Sequence, residues 1–445
     1  MWSRDAGVML RELVHFGYME HAKLTALRLM QLVQPNEEGF YSFPWRFELG
    51  QPESGSELDG TGACVIGLWL LWDRLSSDDP VKQAIYDFLA SDRSPLRYVV
   101  HVLQDRPLLA GSGEFGGGCG IDGLFFNVVQ NWLGWLALQA GIKLEEKAGA
   151  HEQASIYRAA STLLESNIQR HLIGEDAAWI WCVDTESMQP DDAVLNHTIN
   201  KSFGGINGPA CMYSDVMGGD PVGSAWSGAK PSLETFMKLL SQPKRHEQYH
   251  KYGFWAQFDL YLQGAIMSPS YGQGYALQTM LLYDKLDLAD IGLAYLAEAT
   301  YQPPRAYPVT RECPYWFYER YQSPDYIDIE PYEEACGALN LVCVAEPLKV
   351  ARLVVGVDDV SGSAVTIIPR IPPSWSGYAV KNWPILAGND VVRADIEYNQ
   401  TQCGCRLTLK SSSPIPHLVV KLGLPDSRET REFHAVDEVD VSLQW

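Results

Sequence analysis

Residues 61–72 read TGACVIGLWLLW, a stretch without a single charged side chain and without a polar face. A helix of this texture must be buried on every side. The texture returns at 124–138 (LFFNVVQNWLGWLAL) and 274–283 (GYALQTMLLY). By contrast, 21–33 (HAKLTALRLMQLV), 152–172 (EQASIYRAASTLLESNIQRHL) and 288–300 (LADIGLAYLAEAT) are apolar on one side only, as helices facing water are. The two kinds alternate from Asp5 to about Glu346, joined by long Gly/Pro-rich loops such as 111–120 and 196–228. Pairs of an inner and an outer helix predict a mainly α fold, a toroid of helical hairpins with about eleven helices.

From Val350 the texture changes. ARLVVGV (351–357), SAVTIIPRI (363–371), GYAVKNWPIL (377–386), VVRADIEY (391–398), CRLTLK (405–410) and HLVVKLGL (417–424) are short β-branched runs between turn residues. They predict a small antiparallel β-sandwich. The boundary falls near Pro347, giving a helical domain over 1–346 and a β domain over 347–445.

Composition narrows the function. The chain has 445 residues, 46% of them hydrophobic, enough for a large core. A formal net charge of −21 removes the basic footprint that a nucleic-acid partner requires and mildly disfavours strongly anionic substrates. No run approaches a membrane span, and the first residues lack the pattern of a signal peptide. The default compartment is cytoplasmic, or an exported one if a leader precedes the chain. Nine cysteines without a CxxC pair read as reduced thiols, with Cys403 and Cys405 expected on one face of a strand. Sequons at Asn196, Asn200 and Asn399 match the number expected by chance. The 14 Trp and 22 Tyr suit both a core and a sugar-stacking surface.

Two short motifs carry little. GSGEFG (111–116) satisfies GxGxxG, but only PLLA precedes it and no acidic residue follows at the right distance for a ribose. HEQYH (246–250) satisfies HExxH, in which His246 and His250 would hold zinc and Glu247 would act as base; the polar SQPKR before it reads instead as a solvated helix start. Carboxylates in Gly- and aromatic-rich loops are the stronger signal. Glu114 lies in GSGEFGGGCGIDG (111–123), beside Phe115 and ahead of Asp122, and apolar surroundings raise the pKa of such an acid. Glu312 and Glu319 lie among seven aromatic rings in 310–334. Two carboxylates across one pocket are the minimum for glycoside hydrolysis.

At four places these residues resemble a known family. WSRDAGVML (2–10) looks like the Trp-x-Arg-Asp segment of glycoside hydrolase family 15, the glucoamylases, and ELDGTGACVIGLWLLW (57–72) is similar to the family's next inner helix. GEFGGGCGIDGLFFNVVQNWLGWLAL (113–138) resembles the loop and helix of the catalytic acid, and YERYQSPDYIDIEPYEEACGALNLV (318–342) the segment with the catalytic base. The wider class is the six-hairpin glycosidases, (α/α)6 toroids that include families 63, 65, 78 and 94. VTIIPRIPPSWSGYAVKNW (365–383) looks like the β domain closing several of them.

The resemblance implies that Arg4 and Asp5 bind the terminal sugar with Trp2 beside it, and that Asp59 lies at the mouth of the same pocket. It implies Glu114 as general acid, with Asp122 competing, and Glu319 as general base, with Glu312 competing, in an inverting mechanism without metal or organic cofactor. The expectation is an exo-acting glycosidase taking an oligosaccharide or glycoside, with rhamnose, glucose and a uronic acid as candidate sugars. In the enzymes resembled, at least one helix precedes Trp-x-Arg-Asp, so the toroid is expected to lack its first helix. Three rivals are a non-catalytic glycan-binding relative, a polysaccharide lyase and a zinc hydrolase using His246, Glu247 and His250.

Overall fold

The computed structural model describes residues 2–48, 51–52, 58–110, 125–180, 182–190, 229–252, 266–267, 271–301, 321–322, 341–357 and 364–445. Among these are twelve α-helices: α1 Ser3–His15, α2 Met19–Leu32, α3 Leu58–Arg74, α4 Pro80–Ala90, α5 Pro95–Asp105, α6 Val128–Ala148, α7 His151–His171, α8 Ala229–Leu240, α9 Pro243–Tyr252, α10 Tyr271–Leu282, α11 Leu286–Tyr301 and α12 Leu341–Val355. None is long and apolar enough to cross a membrane. The two helix textures sort by position. In α3 every residue from Leu58 to Trp72 is buried, whereas α7 buries one stripe that includes Ala154, Tyr157, Ser161, Leu164 and Ile168.

Helices α6, α3, α1, α12, α10 and α8 touch in that order, while α7 backs α6, α2 backs α1, α11 backs α10 and α9 backs α8. Trp179, after α7, donates its ring N–H to Ser232 Oγ of α8 at 2.9 Å and lies 6.4 Å from the Trp132 ring of α6, linking the two ends of the series. Helices α1 and α3 run parallel, with Gly7 against Ala63 and Gly67 against Leu10. A Cβ on Gly7 would sit 2.5 Å from the Ala63 carbonyl carbon, and one on Gly62 would sit 2.7 Å from the Leu133 carbonyl oxygen of α6. Glycine is what lets these backbones meet.

The C-terminal part is one curled sheet of five strands: β5 Val365–Ile367, β6 Gly377–Ala387, β7 Asp390–Thr401, β8 Gly404–Leu422 and β9 Glu429–Gln444. The order is β6-β7-β8-β9, antiparallel throughout, with β5 joined in parallel to the second half of β8. A register shift between Lys410 and Ile415 bends the long β8/β9 hairpin. The strands expected in a sandwich thus form, among the described residues, one hydrogen-bonded curled sheet whose longest strands serve both halves.

Two local expectations are also corrected. ARLVVGV is helical to Val355, because α12 runs through Pro347 and packs Val350, Leu353 and Val354 into the core. Burial between helices overrides the β propensity of those valines, and the change from helix to strand falls after Val355 instead of at 347. Cys403 is exposed at the β7/β8 turn while Cys405 is buried, so the two do not share a face. The sheet docks on the helices through Tyr378 Oη, which donates to Val355 O at 2.7 Å, through the Arg428–Asp284 ion pair, and through the edge-on contact of Phe16 with Trp383.

A buried charge network holds α1 to α12. Arg352 donates to Glu12 from Nε at 3.1 Å and Nη2 at 2.9 Å, Arg11 Nε donates to Glu12 at 2.7 Å, and Arg11 Nη2 reaches Glu346 at 3.4 Å. Gln278 of α10 donates to the other oxygen of Glu346. Burial alone would raise the Glu12 pKa, but the charges of Arg352, Arg11 and His15 overcome it and hold the carboxyl at about 2, from 4.5. For Glu346 burial prevails and pushes the pKa up.

A depressed native pKa contributes stability above the unfolded value of 4.5, lost as pH falls toward about 2. Glu346, with its raised pKa, alters stability above 4.5, so of the two buried carboxyls in this network only Glu12 contributes to the acid limb. Glu12→Gln is expected to lower stability near neutral pH by about 3 kcal/mol and to flatten that acid limb, both followed by thermal unfolding. An acid limb identical to wild type would count against the network.

Candidate functional site

The first turns of parallel helices α1 and α3 lie side by side, and this brings Arg4, Asp5 and Asp59 together. Arg4 Nη1 donates to Asp59 Oδ2 at 2.8 Å, and its Nε lies 3.9 Å from Asp5 Oδ1. Both carboxylates occupy the first turn of their helix, where the exposed N–H groups favour negative charge. Arg4 and Asp5 are each 3% exposed and Asp59 is 0% exposed. Asp59 therefore holds the Arg4 guanidinium from a fully buried position.

Trp2 precedes α1, half-buried, bridged to Arg46 and edge-on to the Trp45 ring at 4.7 Å between centroids. The Arg46 guanidinium sits 5.3 Å from the centre of the Trp45 ring. Trp45 O accepts from Ser3 N at 3.2 Å and from Ser3 Oγ at 3.4 Å, so the 43–47 segment FPWRF caps the start of α1. Phe43 N donates to Thr61 Oγ1 of α3 at 3.2 Å, tying the same segment to the second helix. The structure brings Arg4, Asp5 and Asp59 together with Trp2 beside them, and adds Trp45, whose only signal in the sequence is an aromatic-flanked Trp-Arg pair after a proline. Burial pushes the Cys64 thiol up, and its Sγ–H donates to Ser3 O at 3.2 Å, so it is a packing group and no nucleophile.

Glu114, Asp122, Glu312 and Glu319 lie outside the described residues. The chain on either side of 111–124 is well anchored. Asn131 of α6 accepts from Leu109 N at 2.7 Å and donates to Leu109 O at 2.9 Å. Ala110 bridges to Phe126 in β1 Phe125–Asn127, which pairs with β2 Cys182–Asp184. Both flanks thus meet at the start of α6. Beyond Glu319, β4 Tyr321–Gln322 pairs with β3 Ile266–Met267, a few residues ahead of α10.

Among the described residues the HExxH histidines form no metal cradle. His246 and His250 are exposed on α9 with rings stacked at 3.9 Å, and His250 Nδ1 lies 2.9 Å from His246 O. Of the motif's described side chains, Tyr249 turns inward, donating to Leu288 O at 2.6 Å.

No protein-family model and no curated protein sequence matches the chain. Solved structures do. An α-L-rhamnosidase from Dictyoglumus thermophilum superposes with a TM-score of 0.63 at 11% identity, over 100% of this chain and 46% of that one. An α-L-rhamnosidase from Aspergillus terreus gives 0.58 at 10% identity, over 99% and 45%. A family 78 rhamnosidase of Bacillus sp. GL1 gives 0.54 at 13% identity, over 90% and 36%. The chain shares the fold of these three structures over most of its length. It spans less than half the length of each of these enzymes, and the likeness takes in helices and sheet together.

Replacing Asp59 by Asn removes the carboxylate at 2.8 Å from a guanidinium that is 3% exposed. The substitution is expected to destabilise the protein by about 3–5 kcal/mol, whereas Arg4→Met with Asp59→Leu is expected to restore most of that loss. Thermal unfolding of the three proteins checks this, and equal stability of Asp59→Asn and wild type would contradict it.

Proposed function

We propose that this chain is an exo-acting glycosidase whose terminal-sugar subsite is built at the starts of α1 and α3. The supporting observation is the buried Arg4–Asp59 pair with Asp5 alongside, flanked by the half-buried Trp2 and Trp45 rings, in a fold shared with α-L-rhamnosidases. Arg4 and Asp5 supply a donor and an acceptor for vicinal hydroxyls, Asp59 keeps the guanidinium oriented, and the indoles offer apolar faces to the sugar ring. The α6–α3–α1–α12–α10–α8 series, backed by outer helices, supports reading the helical part as an (α/α)6 toroid with its pocket at this end. The proposed division remains a helical part over 1–346 and a β part over 347–445, with α12 running across that boundary to Val355.

Glu114 is the proposed general acid and Glu319 the general base. The acid protonates the leaving oxygen while the base takes a proton from a water attacking the anomeric carbon from the opposite face, which inverts the anomer. No metal or organic cofactor enters this mechanism.

A non-catalytic glycan-binding relative, keeping the Trp2–Asp5 clamp without the acid–base pair, is the second reading, favoured by the atypical sequence around Glu114, which no Trp precedes. Aryl glycosides separate the two. Hydrolysis of an aryl α-L-rhamnoside, ahead of α-D-glucoside and uronide analogues, with the inverted anomer as first product by NMR, is the expected result. Glu114→Gln and Glu319→Gln should each lower turnover by at least about 100-fold with folding unchanged. Sugar binding without turnover on any glycoside would favour the second reading, and a retained anomer would overturn the inverting assignment.

A further inference from the structure

On the outer face of the β8/β9 hairpin three side chains with metal-ligating atoms converge. His417 of β8 and His434 of β9 are direct cross-strand partners, so their side chains leave the sheet on the same face. Glu432 lies two residues before His434 and shares that face. The alternate residues of β8, Leu418, Val420 and Leu422, turn into the core, which leaves the histidine face outward. The two imidazoles stack at 4.6 Å between centroids. His417 Nε2 lies 3.5 Å from Glu432 Oε2, is itself buried, and makes no hydrogen bond among the described residues.

We propose that His417, Glu432 and His434 bind a divalent transition-metal cation of the zinc class. Their ligating atoms all lie within 4.8 Å of one another. Tetrahedral ligands at 2.0–2.1 Å from zinc stand roughly 3.3 Å apart, so modest side-chain rotations close the set. Two neutral imidazoles and one carboxylate suit zinc, and calcium or magnesium would call for more oxygen ligands. Three protein ligands leave a fourth position for water or an outside group. The strands already hold the two histidines in register, so little ordering is needed for binding. The ion would pin β8 to β9 just beyond the Lys410/Ile415 register shift, and it is independent of the hydrolytic mechanism proposed above.

The full chain, stripped with a chelator and titrated with Zn2+ alone, tests this by isothermal titration, by thermal unfolding and by the visible spectrum of a Co2+ substitute. The expected result is one equivalent bound, a raised Tm and a tetrahedral Co2+ spectrum. His434→Ala and the closer isostere His434→Gln should each weaken binding at least tenfold and remove the Tm rise, and His246→Ala should change nothing. Zn2+ binding unaltered by His434→Ala and His434→Gln, binding lost instead in His246→Ala, or no binding by the wild-type chain would overturn the proposal.

Discussion

The close approach of α1 to α3 is the constraint on which the rest depends. Two helices with ordinary side chains between them stand about 8–10 Å apart, but Gly7, Gly60 and Gly67 remove the side chains that would enforce that spacing. The two main chains therefore come into close approach, and their first turns fall level. Only then can Arg4 reach a carboxylate 55 residues further along the chain. A methyl group at Gly7 would press on the main chain of Ala63, which has no flexible end to yield, so the position of the guanidinium is decided several residues away from it.

The same helix is held from its other side by charge. Arg11, Glu12 and His15 face Glu346 and Arg352 of α12 with almost no exposed surface. Ionic groups so deep in a core add little net stability compared with well-packed apolar side chains, yet removing one partner is severe. The arrangement fixes one rotation of α1 about its axis. Glycines set the approach of α1 to one neighbour and ion pairs set its orientation to the other, so its N-terminal turn presents Arg4 and Asp5 in a defined geometry.

Much of this was legible in the sequence, and what was not has physical causes. The uninterrupted apolar texture of 61–72 identified a helix buried all round, and the one-sided 152–172 identified its solvated counterpart. Trp2, Arg4, Asp5 and Asp59 were found as a group, but the depth of Asp59 was not, since a carboxylate looks the same in sequence whether it touches substrate or orients an arginine. The β-branched Val354, Val355 and Val357 misled at 351–357, where burial of the last turns of α12 outweighs intrinsic preference. Trp45 went unnoticed because it meets Ser3 and Trp2 only through contacts that span more than 40 residues of chain. The pairing of β5 with the far half of β8 was hidden because alternation along a strand reports which face is buried and not which strand lies beside it.

The fold shared with the rhamnosidases carries a scaffold, and the chemistry rests on side chains grafted onto it. The central claim is that the starts of α1 and α3 grip a terminal sugar. A crystal structure of the protein soaked with L-rhamnose addresses it directly. The account predicts the monosaccharide with hydroxyls on Arg4 and Asp5 and its ring against Trp2 or Trp45; a sugar bound elsewhere on the molecule, with that end of the helices untouched, would contradict it.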